Sequence, residues 1–307
     1  MYMVALSFLL AALPVEPPPP GLEHGPPPIN STIKRHSVMT VNGSFTLSAS
    51  DARIRDLDFT RTYNSNDPRS GSLGPGWTHN YAVHLADPGD GTGTVLVVGP
   101  QGRADRYVPT ANGFDPPPGI GNELSKHEAG LQLRYRDLSR LLFDADGRLV
   151  AMLDRYDQAT RLEYGESSGQ LASVTAWWSG SLTFTYDGDR LISVVSALGQ
   201  TTYDYDEQGR LSSVVGPSGA LTQYTYDGDS ARLSTWVNPN GHTVVTNTYD
   251  DLGRVAGQSD PIGVQTTYAY TPLPGGGLVV LTDEAGGAVQ LEETFDAHGF
   301  LIRRGAR

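Results

Sequence analysis

Apolar and polar residues alternate in short runs along most of this chain, and turn-forming residues separate the runs. Alternation places every second side chain on the same face, which is the pattern of a half-buried β-strand. In the stretch YDYDEQGRLSSVVGPSGALTQYTYD, residues 203–227, such runs flank the turn sequences DEQG and GPSG. Asp with Gly suits the first turn and Pro with Gly suits the second. The stretch therefore predicts antiparallel strands joined by tight turns.

The same pattern recurs from about Leu131 onward. An aromatic residue precedes the first turn of each unit at Phe143, Tyr164, Tyr186, Tyr205, Tyr226, Tyr249, Tyr270 and Phe295. Successive positions are 19 to 25 residues apart, and several units continue with Gly, a basic residue and an aliphatic residue, as at Gly209, Arg210 and Leu211. A period of this size predicts a repeat architecture in which each hairpin becomes stable against its neighbours.

Each repeat predicts an incoming and an outgoing strand. Tyr203 and Tyr205 share a face of the incoming strand, and we expect such pairs on neighbouring repeats to form aromatic ladders across the sheet. In the outgoing strand, strict alternation would place Leu211 and Val214 on opposite faces. This mismatch predicts either a β-bulge or an environment that is apolar on both sides.

The region before the repeats predicts a separate β domain. The pair Asn42 and Gly43 between two β-prone runs predicts a hairpin. Two further strands each place four residues on one face, namely Leu57, Phe59, Arg61 and Tyr63, and Trp77, His79, Tyr81 and Val83. We therefore divide the chain into a signal-like apolar segment with a Pro-rich spacer (1–28), an N-terminal β domain (29–125) and an array of about eight repeats (126–307).

Composition agrees with an all-β protein and narrows the function classes. Of 307 residues, 36 are Gly, 21 are Pro and 15 are Tyr, while only 18% are charged. The net charge of −12 argues against nucleic acid as a partner, because a phosphate-binding surface needs a basic patch. Since the chain has no cysteine, thiol catalysis, cysteine metal sites and disulfides are excluded.

The N-terminus allows two interpretations. Residues 1–13, MYMVALSFLLAAL, form an apolar run that is too short to span a membrane and resembles the apolar region of a signal peptide. No Lys or Arg precedes this run, so a misplaced start or the remnant of a longer upstream region is the alternative. The spacer that follows holds eight prolines between Pro14 and Pro28 and favours a stiff polyproline-like chain.

Candidate chemistry is sparse. His79, flanked by Trp77 and Tyr81, could bind a sugar or act as a base, but a packed histidine is the simpler interpretation. Acidic turns could attract calcium, yet they lack the ligand frame of a calcium loop, and turn chemistry explains them. These acids are Asp87, Asp90, Asp144, Asp146, Asp187, Asp189, Asp227 and Asp229. The tyrosine ladders could stack on sugars, although cross-strand packing is favoured. We therefore predict no catalytic, cofactor-binding or metal-binding residue and no cofactor.

The repeats resemble the YD repeats of the Rhs/YD-repeat family, the shell proteins of bacterial polymorphic toxins, insecticidal toxin complexes and teneurin-like surface proteins. The words TRTYNS (residues 60–65) and LGPGWTHNY (residues 73–81) resemble the domain that precedes the repeats in this family. Together the two resemblances cover roughly residues 40–307. They imply an all-β fold, in which an N-terminal β-domain precedes a coiled antiparallel sheet of YD-repeat hairpins that forms part of a β-shell.

The resemblance also implies a role. It implies a non-enzymatic scaffold, secreted or on the cell surface, that encapsulates or displays a C-terminal toxin encoded elsewhere. Expected partners are that toxin segment, further repeats, or a second chain at the exposed sheet edge, and no nucleic acid. The alternative is a cell-surface adhesin that binds glycans. Family members end the shell with a DPxG-type core motif, whereas Asp260 to Gly263, DPIG, is predicted to be a repeat turn, so the chain resembles the N-terminal part of such a protein.

Overall fold

The computed structural model describes residues 38–100, 102–128, 130–285 and 290–306. These described residues form 28 β-strands and contain no helix, so none of them could cross a membrane as a helix. The predicted all-β class, with N-terminal strands followed by a long antiparallel sheet, is confirmed. Residues 1–28 lie outside the described residues, and the division of the chain at residues 28 and 125 stays a prediction.

Ten strands precede the repeats and form three small sheets. The strand order is β1-β2-β3-β6 in one sheet, β4-β5 in the second and β10-β9-β8-β7 in the third. The strands are β1 (Val38–Met39), β2 (Ser44–Ile54), β3 (Leu57–Asn64), β4 (Ser70–Gly71), β5 (Gly74–Pro75), β6 (Trp77–His79), β7 (His84–Ala86), β8 (Val95–Val98), β9 (Ala104–Thr110) and β10 (Gly113–Asp115).

The remaining strands follow one another in chain order in an antiparallel sheet of 18 strands. They are β11 (Glu123–His127), β12 (Gly130–Arg134), β13 (Arg140–Phe143), β14 (Leu149–Leu153), β15 (Ala159–Tyr164), β16 (Leu171–Ala176), β17 (Gly180–Asp187), β18 (Arg190–Ser196), β19 (Gly199–Tyr205), β20 (Leu211–Val215), β21 (Leu221–Tyr226), β22 (Leu233–Val237), β23 (Thr243–Tyr249), β24 (Val255–Ser259), β25 (Gln265–Pro272), β26 (Leu278–Glu284), β27 (Gln290–Phe295) and β28 (Leu301–Ala306).

The repeat period appears directly in the strand boundaries. Six of the eight predicted aromatic positions are the last residue of a strand, because the turn begins at the following Asp or its equivalent. Alternation buries one face of the sheet, as in β13, where Leu141 and Phe143 are buried and Leu142 between them is partly exposed. The core of the array is therefore a row of inward-facing side chains that runs from strand to strand.

The chain forms two compact units. Of the described residues, the first unit contains Ser50–Arg61 and His79–Gln200, and the second contains residues 38–49, Thr62–Thr78 and those from Thr201 onward. Each unit thus combines part of the pre-repeat region with part of the repeat array.

The structure confirms three of the local predictions and corrects one. Val38 pairs with Phe45 in the hairpin predicted at Asn42 and Gly43, and Asp260 to Gly263 form a repeat turn in which the amide of Gly263 donates to the Asp260 carbonyl at 3.0 Å. The four predicted residues of β3, Leu57, Phe59, Arg61 and Tyr63, are buried.

The strand predicted from Trp77 through Val83 ends instead at His79. Asn80 causes this break, since its side-chain amide accepts a hydrogen bond from the Thr60 amide at 3.0 Å and donates to the Asp58 carbonyl at 2.9 Å. Tyr81 and Val83 therefore lie outside the strand, although Tyr81 is buried.

Candidate functional site

An aspartate side chain holds the first turn in several repeats, at Asp144, Asp206, Asp250 and Asp296. In the second unit, Asp206 Oδ1 accepts hydrogen bonds from the amides of Gln208 at 3.1 Å and Arg210 at 2.8 Å. Gly209 closes the turn at a φ of 72°, a conformation that glycine adopts at low cost. The acidic residue is therefore occupied by the turn itself, as the Asp-x-x-Gly pattern predicts.

The arginine of the turn joins one repeat to the next. Arg210 Nε donates to Asp206 Oδ2 at 2.7 Å, and the guanidinium carbon lies 4.6 Å from the centre of the Tyr226 ring in the following repeat. Arg210 Nη1 also donates to the carbonyls of Gly228 and Ser230 in the next turn, at 2.7 and 2.8 Å. An arginine fixed by a carboxylate and stacked on a ring presents a planar, pre-organised set of donors.

The tyrosine of the following repeat completes this connection. Tyr226 Oη donates to the Leu211 carbonyl at 2.7 Å, so the hydroxyl reaches back to the strand that leaves the preceding turn. Burial raises the pKa of Tyr226 well above its ordinary value, which keeps the hydroxyl protonated as a donor. We call this set of Asp, Arg and next-repeat Tyr, here Asp206, Arg210 and Tyr226, the repeat clamp.

The repeat clamp recurs with nearly the same geometry. Arg254 Nε donates to Asp250 Oδ2 at 2.8 Å, its guanidinium lies 4.4 Å from the Tyr270 ring centre, and Tyr270 Oη donates to the Val255 carbonyl at 2.8 Å. In the first unit the clamp consists of Asp144, Arg148 and Tyr164. Sequence reasoning missed the clamp, although the arginine stands sixteen residues before the tyrosine in all three cases.

A β-bulge sits beside each clamp. Asp204 pairs with Ser213 and Tyr205 pairs with Leu211, so Ser212 is the extra residue of the outgoing strand. The bulge returns Leu211 and Val214 to the same buried face, and this confirms the bulge alternative of the prediction. Equivalent register shifts lie beside Phe143, Tyr164, Tyr186, Tyr226, Tyr249 and Phe295.

The tyrosines do not form the direct ring-on-ring ladder that the sequence predicts. Tyr203 pairs with Val214 of the intervening strand, so tyrosines of successive repeats are separated by two strand spacings, about 9.5 Å. An arginine stacked on a tyrosine, and not a ring stacked on a ring, links successive repeats at the clamps. Tyr203 and Tyr224 are only 2% and 4% exposed, so their faces are not available to stack on a sugar.

In the second unit, pre-repeat side chains bind the repeats at the bulge. Tyr63 Oη donates to the Ala231 carbonyl at 2.8 Å and accepts a hydrogen bond from the Leu233 amide at 2.9 Å. Trp77 Nε1 donates to Tyr226 Oη at 3.0 Å, and its ring lies 5.0 Å from that of Tyr224. Aromatic residues of the pre-repeat region thus bind backbone groups and clamp hydroxyls of the array.

Two glycines allow the backbone of the pre-repeat region to approach the clamp turns that contain Arg210 and Arg254. The amide of Val255 donates to the Gly43 carbonyl at 2.8 Å, and a Cβ added at Gly43 would lie 2.4 Å from the Cβ of Arg254. A Cβ at Gly74 would lie 2.8 Å from the Gly209 carbonyl oxygen. Both positions therefore require glycine for contact with a clamp turn.

The first unit shows the same kind of docking. The Leu85 amide donates to the Gly147 carbonyl at 2.8 Å, and the ring of Phe59 lies 5.3 Å from that of Phe184. Arg55 Nη1 donates to the Trp178 carbonyl at 3.2 Å. In each unit, then, the pre-repeat region lies against the repeat hairpins through buried rings and backbone hydrogen bonds.

His79 belongs to this packed layer. Its ring is buried, 5.2 Å from the ring of Phe59, and among the described residues Nδ1 has no hydrogen-bond partner. Burial lowers the pKa of His79 to about 4, so the imidazole is neutral at physiological pH. A buried ring of this kind has no access to a substrate in solution, and this location supports the packed interpretation.

The acidic turns are likewise engaged by the protein. The Arg106 guanidinium and Thr92 hold the pKa of Asp90 at about 2, and Asp144 binds backbone amides and Arg148. Across the described ranges, no group of three His, Asp or Glu residues is placed to hold a metal ion. The prediction that the chain has no catalytic, cofactor-binding or metal-binding residue stays a prediction.

Comparisons with known proteins match both parts of the chain. A model described as a domain of unknown function, DUF6531, matches residues 35–107, and the RHS Repeat model matches residues 187–221 and 205–243. No curated protein matches the chain. The first match lies in the pre-repeat region, and the second covers successive repeats that include the clamp of Asp206, Arg210 and Tyr226.

Solved structures of Tc toxin components are also similar. A crystal structure of TcdB2-TccC3 is 10% identical, with a TM-score of 0.27 over 88% of this chain and 21% of that one. The Tc holotoxin pore of Photorhabdus luminescens is 11% identical, with a TM-score of 0.27 over 84% of this chain and 19% of that one. This chain thus spans about a fifth of the chains it matches.

The family assignment rests on sequence and on local structure together. A DUF6531 segment precedes RHS repeats, and a β-bulge recurs beside the aromatic residue in most repeats, with the clamp in three of them. The match of residues 187–243 to the RHS Repeat model, behind a DUF6531 segment, confirms the predicted resemblance to Rhs/YD-repeat proteins.

Proposed function

We propose that this chain is a structural wall segment of an Rhs-type shell, and that the shell encloses or displays a toxin segment encoded downstream. The observation that carries the proposal is the repeat clamp, which joins one repeat to the next by the same contacts at three places in the array. A wall built this way grows by adding hairpins without new contact types, which suits a large enclosure.

The role we propose is steric and non-enzymatic. It is supported by the engagement of the acidic turns and by the burial of His79 as a neutral ring. The pre-repeat region has a defined part in this role, because it covers one face of the repeat hairpins and satisfies backbone groups beside the bulges. We infer that the pre-repeat region fixes the position of the first repeats, on which further repeats then stack.

The proposal includes a partner at the sheet edge and a location outside the cell. β28 has a neighbour on one side only in the strand order, and an edge strand offers unpaired backbone groups to further repeats or to a second copy. The signal-like residues 1–13 support export. Light scattering of the purified chain is expected to show a mass that rises with concentration, and a strictly monomeric chain would count against the edge partner.

The decisive experiment reads the gene beyond Arg307 and purifies its complete product. Further YD repeats, a DPxG core and a variable tail that resists added protease while the shell is intact are the expected results. A stop codon after Arg307 followed by an unrelated gene would contradict enclosure of a toxin. Binding of the purified chain to a glycan array, with no tail in the gene, would instead favour the adhesin alternative.

A further inference from the structure

In the first unit, four successive turns at the sheet edge opposite the clamps each present a large apolar side chain to solvent. The turns join β12 to β13, β14 to β15, β16 to β17 and β18 to β19. The residues, with their exposed fractions, are Leu138 (50%), Tyr156 (68%), Trp177 (70%), Trp178 (49%) and Leu198 (68%). We call these five residues the apolar turn row. Exposed apolar patches on soluble proteins mark interaction sites more often than scattered single residues do.

The centre of the row is an ordered aromatic platform. The rings of Trp177 and Trp178 are stacked, with centroids 5.2 Å apart and an interplanar angle of 15°. Trp177 Nε1 donates to Gln158 Oε1 of the preceding turn at 3.4 Å, and Arg55 holds the Trp178 carbonyl at 3.2 Å. These contacts fix the pair in place, so a ligand would find a pre-organised surface.

Backbone strain at the first turn gives an independent indication. Leu138 has a φ of 74°, whereas the corresponding position in later turns is Gly219 at 79° or Gly263 at 84°. A leucine in this left-handed region costs about 1 kcal/mol relative to glycine. Because the Leu138 side chain is half exposed, core packing does not offset that cost. Strain retained at an exposed apolar residue is a feature of binding sites.

The spacing of the row selects the ligand class. Successive turns on one edge are two strands apart, about 9.5 Å, because strands pair at about 4.8 Å. A polyproline II helix repeats every three residues at about 3.1 Å per residue, so one of its turns spans about 9.3 Å. Such a helix laid along the edge would present the same face to each successive turn. Aromatic-lined surfaces are the usual receptors for this conformation.

The charged residues near the apolar turn row limit the class of ligand further. The Arg155 guanidinium lies 4.9 Å from the Tyr156 ring centre, and Arg55 lies beside the tryptophan pair. The carboxylates of these turns are already bound, since Asp137 accepts from Ser139, Asp154 accepts from turn amides and Asp157 pairs with Arg140, so the two arginines supply the positive charge at the platform. Residues 15–28 of this chain, VEPPPPGLEHGPPP, are proline-rich, carry Glu16 and Glu23, and contain no Lys or Arg. We propose that the apolar turn row binds an acidic, proline-rich segment in the polyproline II conformation. The proposal does not depend on the shell role.

The test measures binding of a labelled peptide of residues 15–28 by fluorescence polarisation. The receptor is the full chain in which Pro17, Pro18, Pro19 and Pro20 are changed to Ser, so that its own segment does not compete. Tyr156→Ala with Trp177→Ala should weaken binding at least ten-fold. Ile262→Ala is the matched control, because Ile262 is 80% exposed on a turn outside the row, and it should leave binding unchanged.

A second peptide, with alanine at every proline, tests the conformation rather than the composition. It should bind at least ten-fold more weakly, because alanine does not favour polyproline II. No binding of the proline peptide to the receptor would overturn the proposal, as would equal binding of both peptides or equal loss in the Ile262→Ala control. Binding of oligosaccharides, or association of the chain through Trp177 without peptide binding, would assign the row to a different ligand and also overturn it.

Discussion

Two clamp tyrosines, Tyr226 and Tyr270, and a third with the same ring and hydroxyl contacts, Tyr249, make a graded prediction for three Tyr→Phe substitutions. Arg232 lies 6.0 Å from the Tyr249 ring centre, and the Tyr249 hydroxyl donates to a backbone carbonyl of the preceding repeat. Tyr226→Phe, Tyr270→Phe and Tyr249→Phe each delete one hydroxyl and keep the ring on which an arginine stacks. The three hydroxyls differ in the number of polar groups that lose a hydrogen-bond partner when the hydroxyl is deleted. Tyr226 Oη donates to the Leu211 carbonyl and accepts from Trp77 Nε1, whereas Tyr270 Oη donates to the Val255 carbonyl. Because each substitution keeps its ring in place, the three losses of stability report the hydrogen bonds of the hydroxyls.

The magnitudes follow from the partners left unsatisfied. Leaving one buried polar group without a partner costs about 1–3 kcal/mol. Tyr226→Phe removes the hydroxyl's bonds to two such groups, one of them on the buried Trp77, so we expect a loss of about 2–4 kcal/mol in the free energy of unfolding. Tyr270→Phe affects one carbonyl and should cost about 1–2 kcal/mol.

Tyr249→Phe should lower the free energy of unfolding least, and it tests most directly whether the loss depends on a carbonyl left without a partner. Its hydroxyl donates to the Leu233 carbonyl at 2.7 Å, but Asn247 Nδ2 donates to the same carbonyl at 3.1 Å. Because the carbonyl keeps a partner, we expect a loss of about 0.5–1 kcal/mol. The double variant with Asn247→Ala removes that remaining donor, so its loss should exceed the sum of the two single losses.

Guanidinium denaturation followed by intrinsic fluorescence measures the three losses as shifts in midpoint at unchanged slope. Tyr156→Phe is the control, because Tyr156 is exposed and its hydroxyl lies outside the clamps. The order Tyr226, then Tyr270, then Tyr249 is the expected result. Equal losses for all three, or the largest loss at Tyr249, would refute the idea that the clamp hydroxyls act through the groups they satisfy.

Three further predictions concern close contacts and pH. Gly74→Ala should destabilise the chain by at least about 2 kcal/mol more than Gly219→Ala in the same denaturation assay, since both have positive φ but only Gly74 abuts a clamp turn. Burial raises the pKa of Tyr81 to about 12, so the folded state holds its proton above pH 10 while the unfolded state ionises. Stability should therefore fall as the pH rises from 10 to 12, by about 1.4 kcal/mol per pH unit for each such tyrosine, with tyrosinate absorbance rising in step with unfolding. The pKa of His79 is lowered to about 4, so stability should fall by about 2–3 kcal/mol as the pH drops from 7 to 4.5. His79→Gln should flatten that dependence, and an unchanged slope would contradict it.

Local chemistry made much of the array predictable. The turn at Asp206 needs only residues within five positions, and the bulge at Ser212 follows from a mismatch in alternation over four. The clamp is less local, because Arg210 meets Tyr226 only when two repeats lie side by side. The sequence shows the spacing of sixteen residues between the arginine and the tyrosine, but the arginine by itself predicts only part of a turn.

Contacts between the pre-repeat region and the array could not be predicted from one sequence. Tyr63 binds the Leu233 amide across 170 residues, and no periodic pattern links such distant positions. The strand break at Asn80 was missed for a related reason. Its side chain replaces strand pairing with bonds to the Thr60 amide and the Asp58 carbonyl, and these partners become visible only in the folded sheet.

The two edges of the repeat sheet are under different physical constraints. At the clamp edge, aspartate, arginine and glycine are each fixed by a contact, and in each unit the pre-repeat region packs against that edge. At the opposite edge the turn needs a residue that tolerates positive φ, such as Asp157. The identity of the residue before it, here Tyr156, is not set by the turn. Substitution at that free position changes the surface without touching the clamp. A recognition surface is therefore expected to arise at the unclamped edge, and the apolar turn row lies there.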